Sequence, residues 1–143
     1  MTRKSTPPAS ETPARLRVSY GETDKLGIVY YANYLRWFEV GRAEYLRARG
    51  RSYKELEGEG IFMPVVEAYV RYRSPATYDD QLVVWTSLKE AGPVRLSFTY
   101  RVVRESDGHL LAEGHTTHAC IDEKGQLRRL PAALRKVVES APA

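Results

Sequence analysis

The feature that most constrains the fold is a change of hydrophobic period within the chain. Between residues 34 and 48, aromatic, apolar and small side chains recur every three or four positions, which is the period of one α-helix face. The members of this stripe are Tyr34, Trp37, Phe38, Gly41, Tyr45 and Ala48. From residue 60 to about residue 121 the period is two, which is typical of β-strands. The chain therefore combines one long helix with a sheet.

The ends of this helix carry recognisable capping residues. Asn33 is predicted to be the N-cap and Gly50 the first residue beyond the C-terminal cap, which leaves about 16 helical residues and a length near 24 Å. Gly41 in the middle of the helix costs up to about 1 kcal/mol relative to alanine. We expect a strand backbone to approach the helix closely at Gly41 and so compensate for this cost.

Turn residues divide the alternating region into strands. Strands are predicted over residues 16–20, 65–73, 81–90, 94–105 and 110–121, and short helices over residues 53–59 and 132–138. The predicted fold class is α+β, with an antiparallel sheet of five strands that curls around one long central helix. Strands this long can curl because sheets twist.

Length and composition indicate one globular domain. The chain has 143 residues, of which 43% are hydrophobic, enough to bury roughly 68% of the unfolded surface. We expect a single domain over residues 15–140 after a disordered tail, rich in Thr, Ser and Pro, over residues 1–14. The tail lacks the apolar core of a secretory signal, and no apolar run approaches the roughly 20 residues that span a bilayer. A cytoplasmic protein without membrane insertion is therefore expected.

Charge and surplus apolar surface suggest partners. The net charge of +4 suits an anionic partner, such as a phosphorylated cofactor, an acidic surface or RNA, or it reflects a solvated basic surface. Residues 82–85 and 119–121 are apolar on both strand faces, more than one helix can cover. We therefore expect a homo-oligomer.

Asp24 is the main candidate for chemistry. It lies in a loop with Gly21 and Gly27, just before the N-terminus of the long helix. A helix N-terminus offers unpaired N–H groups that stabilise an anion, including the oxyanion formed when a carbonyl is attacked. A nearby carboxylate can activate water as a base or attack the carbonyl itself. The alternative is that Asp24 only forms the turn.

Other reactive side chains favour structural roles. His115 and His118 are three apart on a predicted strand, so they point to opposite faces and cannot share a metal. His109 is next to a turn and is expected to be solvated. Cys120 excludes an internal disulfide and a Cys-rich zinc site, and is interpreted as packed. The sequence contains no Gly-x-Ser-x-Gly, phosphate-loop or dinucleotide motif.

Several arginines form a phosphate-binding rim if some of them converge in the oligomer; otherwise they face solvent. They are Arg95, Arg101, Arg104, Arg128 and Arg129.

The segment around Asp24 closely resembles the signature of hotdog-fold acyl-CoA thioesterases. Residues 23–39 read TDKLGIVYYANYLRWFE, with Asp, two residues, Gly-Ile-Val-aromatic and then Asn-Tyr on the helix. Tyr78-Asp79-Asp80 and residues 125–131 also match. The nearest branch is the 4-hydroxybenzoyl-CoA thioesterase family, which includes the Tol–Pal-associated enzymes, and the resemblance spans residues 14–138.

The resemblance implies a hotdog fold, dimers that often pair into tetramers, and hydrolysis of a small or medium acyl-CoA. It assigns the catalytic carboxylate to Asp24 and the carbonyl-binding N–H to Tyr31. Substrate-binding positions implied by it are Tyr30, Ala32, Glu39, Arg95, Arg128 and Arg129. No metal or cofactor is implied, because CoA is part of the substrate. Some relatives have His at the position of Tyr31, and a backbone N–H does not depend on that change.

Three other functions fit parts of the sequence. A non-catalytic acyl-CoA-binding or regulatory module would keep the cradle but tolerate loss of Asp24. A nucleic-acid-binding protein would need aromatics exposed between basic residues on a sheet face, whereas most aromatics here follow the helix stripe or alternate along strands. A hotdog dehydratase would need a catalytic His on the helix, and none is present.

Overall fold

The structure is a computed structural model that describes residues 11–132 and 134–136. Five strands and two helices follow one another along these residues. In chain order they are β1 (Thr12–Arg17), α1 (Asn33–Arg47), α2 (Tyr53–Gly58), β2 (Val65–Tyr72), β3 (Gln81–Ala91), β4 (Arg95–Arg104) and β5 (Leu110–Ala119). A short 3₁₀ turn, Tyr20–Glu22, follows β1. The four later strands lie within two residues of their predicted bounds.

All strand pairs are antiparallel, and the sheet order is β1-β3-β4-β5-β2. Helix α1 packs on one face of this sheet. The ring of Phe38 stacks on that of Tyr100 in β4, with 4.1 Å between centroids, and Tyr45 meets Phe98 edge to face. The prediction of a five-stranded antiparallel sheet around one long helix is confirmed, and this is the hotdog architecture.

Gly41 marks the closest approach of α1 to the sheet. A Cβ atom at this position would collide with the Thr86 hydroxyl and would lie 2.9 Å from Cγ1 of Val84. Both residues belong to β3, so the expected close approach is confirmed. The contact comes from side chains of the strand rather than from its backbone.

The first strand begins earlier than predicted, because Thr12–Arg17 pairs with β3 in register from Thr12↔Thr86 to Arg17↔Gln81. Ala14 faces the core and is buried, while Arg15 and Arg17 face outward. The predicted tail of residues 1–14 is therefore wrong from Thr12 onward, and residues 1–10 lie outside the described residues. Pro13 is compatible with the strand because β1 is at the edge of the sheet.

Only one of the two predicted caps of α1 is correct. Asn33 is the first helical residue rather than the N-cap, and its side-chain amide donates to the carbonyl of Glu22. Gly50 has φ +81° and follows the helix in a Schellman arrangement: Arg51 N–H donates to Leu46 O and Gly50 N–H to Arg47 O. At the other end of the chain, residues 132 and 134–136 are helical, and the rest of the helix predicted over 132–138 lies outside the described residues.

The exposed apolar surface is not where the sequence predicted it. Val83, Ala119 and Cys120 are buried within the chain itself, so the two-faced strands need no partner. Large exposed apolar side chains lie instead on β2, with Val66 51% exposed and Val65 45%, and at the start of α1, with Tyr31 60% exposed. Strand β2 is an edge strand, whose outer backbone groups pair with no other strand among the described residues.

Candidate active site at the start of the central helix

A compact loop between the 3₁₀ turn and α1 presents Asp24. Gly27 adopts φ +81°, a left-handed conformation that glycine adopts without strain. The turn closes by hydrogen bonds from Gly27 N–H to Asp24 O (2.9 Å) and from Asp24 N–H to Ile28 O (2.8 Å). An isolated bridge between Ile28 and Thr77 fixes the loop at the end of the sheet where β3 begins. These backbone hydrogen bonds therefore hold the loop, and Asp24 within it, in place.

The Asp24 side chain is half-buried. Its Oδ1 accepts the N–H of Leu26 at 2.8 Å, and within residues 11–132 and 134–136 its Oδ2 has no hydrogen-bond partner. The negative charge of Asp24 contributes to raising the pKa of the Tyr30 hydroxyl, after larger contributions from the hydrogen bond and charge of Tyr31 and from burial. One oxygen of the Asp24 carboxylate is therefore available to a ligand or to water.

Two backbone amides at the helix start are available to a ligand. The N–H groups of Tyr31 and Ala32 have no acceptor among the described residues, as expected for the first turn of a helix. The N–H of Tyr30, by contrast, donates to Glu22 O at 2.9 Å. Tyr30 therefore cannot supply the amide expected from the resemblance, although its ring, 4.6 Å from that of Tyr31, still borders the site.

Glu22 is a positioning residue that the sequence analysis missed. Its Oε2 accepts the indole N–H of Trp37 in α1, and its Oε1 accepts from both N–H and Oγ of Ser19. Burial opposes ionisation, but these hydrogen bonds and the charge of Arg36 prevail and hold the pKa of Glu22 below its ordinary value. Glu22 thus ties the loop to the helix. The Ser19-x-x-Glu22 spacing is a capping-box signature, which could have identified it.

An apolar cavity of about 290 Å³ lies next to the free amides, lined in part by Ile28, Tyr31, Tyr34 and Tyr72. The Tyr72 hydroxyl at the end of β2 donates to Tyr31 O at 2.8 Å, which fixes the helix start to the edge strand. Burial, with a smaller contribution from Tyr72, raises the pKa of Tyr34 to about 12, so its phenol is protonated at neutral pH. The lining is mostly apolar and aromatic, which suits an acyl or thioester group, and its one charged member, Arg73, pairs with Glu113. Tyr72 was also missed by the sequence analysis.

Glu39 is not part of this group of residues. It is exposed on α1, eight residues beyond Tyr31, which corresponds to about 12 Å along the helix axis. It lines a different cavity, of about 670 Å³, together with Arg42 and Tyr53.

The predicted phosphate-binding arginines do not converge within one chain. Arg95 is exposed and lines a surface cavity with Glu67 and Glu90. Arg128 reaches in another direction, to the carbonyls of Glu59 and Gly60 at 3.4 and 3.3 Å. Arg129 is also exposed.

Arg101 and Arg104 are engaged in ion pairs. Arg101 bonds Glu11 through two nitrogens, and Arg104 bonds Asp107 in the same way. None of the five arginines is placed beside Asp24.

The histidines and the cysteine have structural surroundings. His118 is buried and bonds Thr116 and the carbonyl of Met63, whereas His115 pairs with Glu67 on the opposite face of β5. His109 is half-buried and bonds Ser74 at 2.8 Å, so the expectation that it is solvated is wrong. Cys120 is fully buried, and burial raises the pKa of its thiol. In the part of the chain that the structure describes, no three potential metal ligands come together.

The fold is that of a thioesterase-like protein. The sequence profile of the thioesterase-like superfamily matches residues 18–140, and the chain belongs to this superfamily.

Comparisons with individual proteins are consistent with this assignment to the superfamily. The chain is 34% identical over 123 residues to the acyl-CoA thioester hydrolase YbgC of Escherichia coli O157:H7, which covers 86% of this chain and 89% of the relative. A crystal structure of a DHNA-CoA thioesterase from Staphylococcus aureus superposes with a TM-score of 0.84 at 31% identity, covering 90% of this chain and 91% of that one. A hypothetical protein from Thermus thermophilus superposes with a TM-score of 0.86 at 35% identity, covering 93% and 98%.

Proposed function

We propose that this protein hydrolyses a small or medium acyl-CoA thioester to a free acid and CoA, with Asp24 and the N–H of Tyr31 as the reacting groups. The observation that supports these roles is the pairing of a carboxylate with one free oxygen and unpartnered amides at the first turn of α1. A relative named as an acyl-CoA thioester hydrolase is 34% identical to this chain over 123 residues.

The amides act on the thioester carbonyl. The N–H of Tyr31, assisted by that of Ala32, donates to the carbonyl oxygen, and the partial positive charge of the helix N-terminus stabilises the oxyanion. Since these donors belong to the backbone, the arrangement does not depend on the Tyr31 side chain. Removing such a donor typically costs about 10²–10³ in rate.

Asp24 supplies the second half of the reaction. As a general base, it takes a proton from water as the water oxygen bonds to the carbonyl carbon, and the proton then passes to the departing CoA sulfur. As a nucleophile, it forms a mixed anhydride with release of CoA thiolate, and water then hydrolyses the anhydride. Either route uses only the acyl-CoA and water, so no cofactor or metal is required by the proposal.

The decisive test is Asp24→Asn, with CoA release from a panel of short, long, branched and aromatic acyl-CoAs measured over time. We expect turnover to fall at least about a hundredfold, because general-base catalysis contributes roughly 10²–10⁴. The matched control is Asp79→Asn in the neighbouring turn, where asparagine tolerates the positive φ of +70° and turnover should stay unchanged. Unaltered turnover of Asp24→Asn would refute the assignment. Saturable binding of acyl-CoA without CoA release from the wild type would identify a binding module instead.

We further propose that the active protein is a homo-oligomer in which β2 pairs with β2 of a second copy. Strand β2 offers an unpaired edge and exposed apolar side chains on a sheet of five strands. Antiparallel pairing about a two-fold axis would place the start of the partner's β2 beside Tyr72, and therefore beside the helix start. A tetramer would follow from pairing of two such dimers.

The position of the arginines supports the same oligomer. Leu82, near the start of β3 and the Asp24 loop, pairs with Arg104 at the end of β4, whereas Arg95 is at the other end of that strand. At 3.4 Å per residue this separates Arg95 from the loop by about 30 Å. A CoA phosphate near Arg95, Arg128 or Arg129 would therefore belong to a thioester held by the opposite subunit.

Within the described residues, no helix has the length and apolar character needed to cross a bilayer. Acyl-CoA is a cytoplasmic metabolite pool in most cells, and we propose a cytoplasmic location on that ground.

A further inference from the structure

The larger cavity beside the second half of α1 has a polar wall and an apolar wall. Its volume is about 670 Å³, and it lies between α1, α2 and the residues that follow β5. The apolar part is formed by Phe62, Met63, Pro64 and Ile121. The polar part includes Arg42, Arg47 and Tyr53 together with four acidic residues. This combination is typical of a pocket that binds an organic molecule with one polar end.

The Tyr53 hydroxyl is buried, and its proton has no acceptor among the described residues. Burial raises its pKa above the ordinary tyrosine value, and the positive charge and the N–H groups of Arg42 act against this rise. The phenol is thus protonated and able to donate. A buried O–H without an acceptor is unfavourable, so a ligand oxygen that accepts from it would be stabilised.

Arg42 is half-buried and, among residues 11–132 and 134–136, forms no ion pair. Burial raises the pKa of the neighbouring Tyr100 hydroxyl, and the charge of Arg42 acts against this rise. A cation with hydroxyl neighbours but no carboxylate partner is well placed to bind an anionic oxygen.

The Tyr100 hydroxyl is not available to donate to such a ligand, because a chain of hydrogen bonds fixes the direction in which it donates. Met63 O can only accept, so the proton of His118 is on Nδ1, and its Nε2 accepts from Thr116. The Thr116 oxygen then accepts from the Tyr100 hydroxyl at 2.6 Å. The donors that remain for a ligand are therefore Tyr53 and Arg42.

Acidic side chains also line the cavity. Glu39, Glu57 and Glu123 are exposed, and Asp122 is half-buried. Their charges are screened by solvent but still disfavour a free anion that enters by diffusion. They matter less for a carboxylate carried inward on an apolar chain whose thioester is bound elsewhere.

We propose that Arg42 and Tyr53 determine specificity by binding a carboxylate at the far end of the acyl group, so that acyl-CoAs of dicarboxylic acids are preferred substrates. This inference rests on the proposed thioesterase activity. Arg42 lies 11 residues beyond Tyr31, which corresponds to about 16 Å along the axis of α1, and in the proposed oligomer the partner's helix start would offer a second thioester position at a different distance. The length of the best acyl chain therefore reports which subunit holds the thioester.

The experiment compares kcat/KM for matched pairs of acyl-CoAs with and without a terminal carboxylate, from succinyl against butyryl, through adipoyl against hexanoyl, to longer chains. In the wild type we expect the dicarboxylic member to be preferred at one chain length. Arg42→Met keeps the side-chain length, removes the charge, and should lower that preference by about 10–100-fold without lowering kcat/KM for the uncharged member. Tyr53→Phe should lower it by a smaller factor and tests the site independently if Arg42→Met does not fold.

The matched control is Arg47→Met, which removes another arginine from the same cavity. Arg47 is exposed and pairs with Glu44, so the preference should stay within about twofold of the wild type. A wild type with no dicarboxylic preference at any length, or variants that keep the preference, would overturn the inference while leaving the thioesterase intact. Absence of CoA release from every substrate would instead overturn the proposed function, and this inference with it.

Free adipate and hexanoate, titrated calorimetrically, distinguish the source of the carboxylate. Binding of free hexanoate that is lost in Arg42→Met, with no dicarboxylic preference in the kinetics, would show an acid-binding site and contradict the assignment to the acyl chain.

Discussion

Among single residues, Glu22 has the most consequence for the candidate site, because one carboxylate bonds both Ser19 before the loop and Trp37 in the helix. We expect Glu22→Gln to lower the free energy of unfolding by about 1–3 kcal/mol, since hydrogen bonds to a charged group are lost. Turnover should fall as well, because Asp24 and the amides are no longer held together. Urea unfolding and CoA release measure the two effects.

The matched control for that substitution is Glu105→Gln. Glu105 forms an exposed ion pair with Arg15, and such pairs contribute little to stability. If the two variants unfold at the same urea concentration, Glu22 does not have the role assigned to it.

His118 gives the protein a defined dependence of stability on pH. Burial, reinforced by the charge of Arg42 and opposed by the hydrogen bond to Met63, lowers its pKa from 6.5 to about 4. The unfolded chain therefore takes up this proton first as the pH falls. The contribution of neutral His118 is complete above about pH 6.5 and is lost between pH 6.5 and 4, with a magnitude on the order of 3 kcal/mol.

We expect His118→Gln, which cannot titrate, to flatten the stability curve over this interval, although its overall stability will be lower. Denaturant unfolding at several pH values is the measurement. Parallel curves for variant and wild type between pH 4 and 6.5 would show that His118 does not control this slope.

At the scale of elements, the contact between α1 and β3 depends on the absence of a side chain at Gly41. Gly41→Ala should destabilise the protein by about 1–3 kcal/mol through overpacking against Thr86 and Val84. Combination with Thr86→Ala removes the colliding hydroxyl, which has no hydrogen-bond partner among the described residues, and should recover part of the loss.

Gly58→Ala in α2 is the control for this substitution, because a Cβ there meets no atom within 4 Å. Its thermal midpoint should stay near that of the wild type or rise slightly. A Gly41→Ala midpoint that also stays unchanged would contradict the close contact.

Elements with a clear period could be predicted from the sequence, whereas their ends depended on other parts of the chain. The stripe of α1 and the alternation of β2 to β5 are local signals, and they located these elements to within two residues. The start of strand β1 was predicted too far along the chain, because the alternation of its side chains can be recognised only from its pairing with the neighbouring strand β3. Asparagine is a common helix-capping residue, but the side chain of Asn33 donates to the carbonyl of Glu22 instead. Which residue caps a helix, and which strands pair, depends on tertiary contacts that the composition of a segment does not determine.

The candidate site divides in the same way. Asp24, Tyr31 and Ala32 are close in sequence, so the loop and helix start could be recognised from one segment. Tyr72 reaches Tyr31 from a strand 41 positions away, and no local pattern announces that contact. The arginine rim was predicted for an oligomer and stays a prediction; within one chain, antiparallel pairing places Arg95 far from Asp24.

For the whole molecule, the proposed oligomer explains why one chain holds an incomplete site. A subunit supplies the reacting groups at one end of its sheet and basic side chains at the other, and two-fold pairing through β2 would bring unlike ends together. In that oligomer the exposed side of β2 forms an interface, and β2 is no longer an unprotected edge strand that could aggregate.

Charge on this edge should separate the subunits and lower activity together. The side chain of Val66 is exposed in the single chain, so Val66→Glu should leave folding unaffected. In the two-fold pair, however, the two introduced glutamates would bring like charges together. We expect the dissociation constant of the dimer to rise at least about tenfold in analytical ultracentrifugation, with CoA release falling in proportion to the dimer. Leu127→Glu, which charges a 67% exposed position beyond β5, should change neither. A wild type that is monomeric at the concentrations where it is fully active would show that one chain is sufficient, and the arginines would then need another explanation.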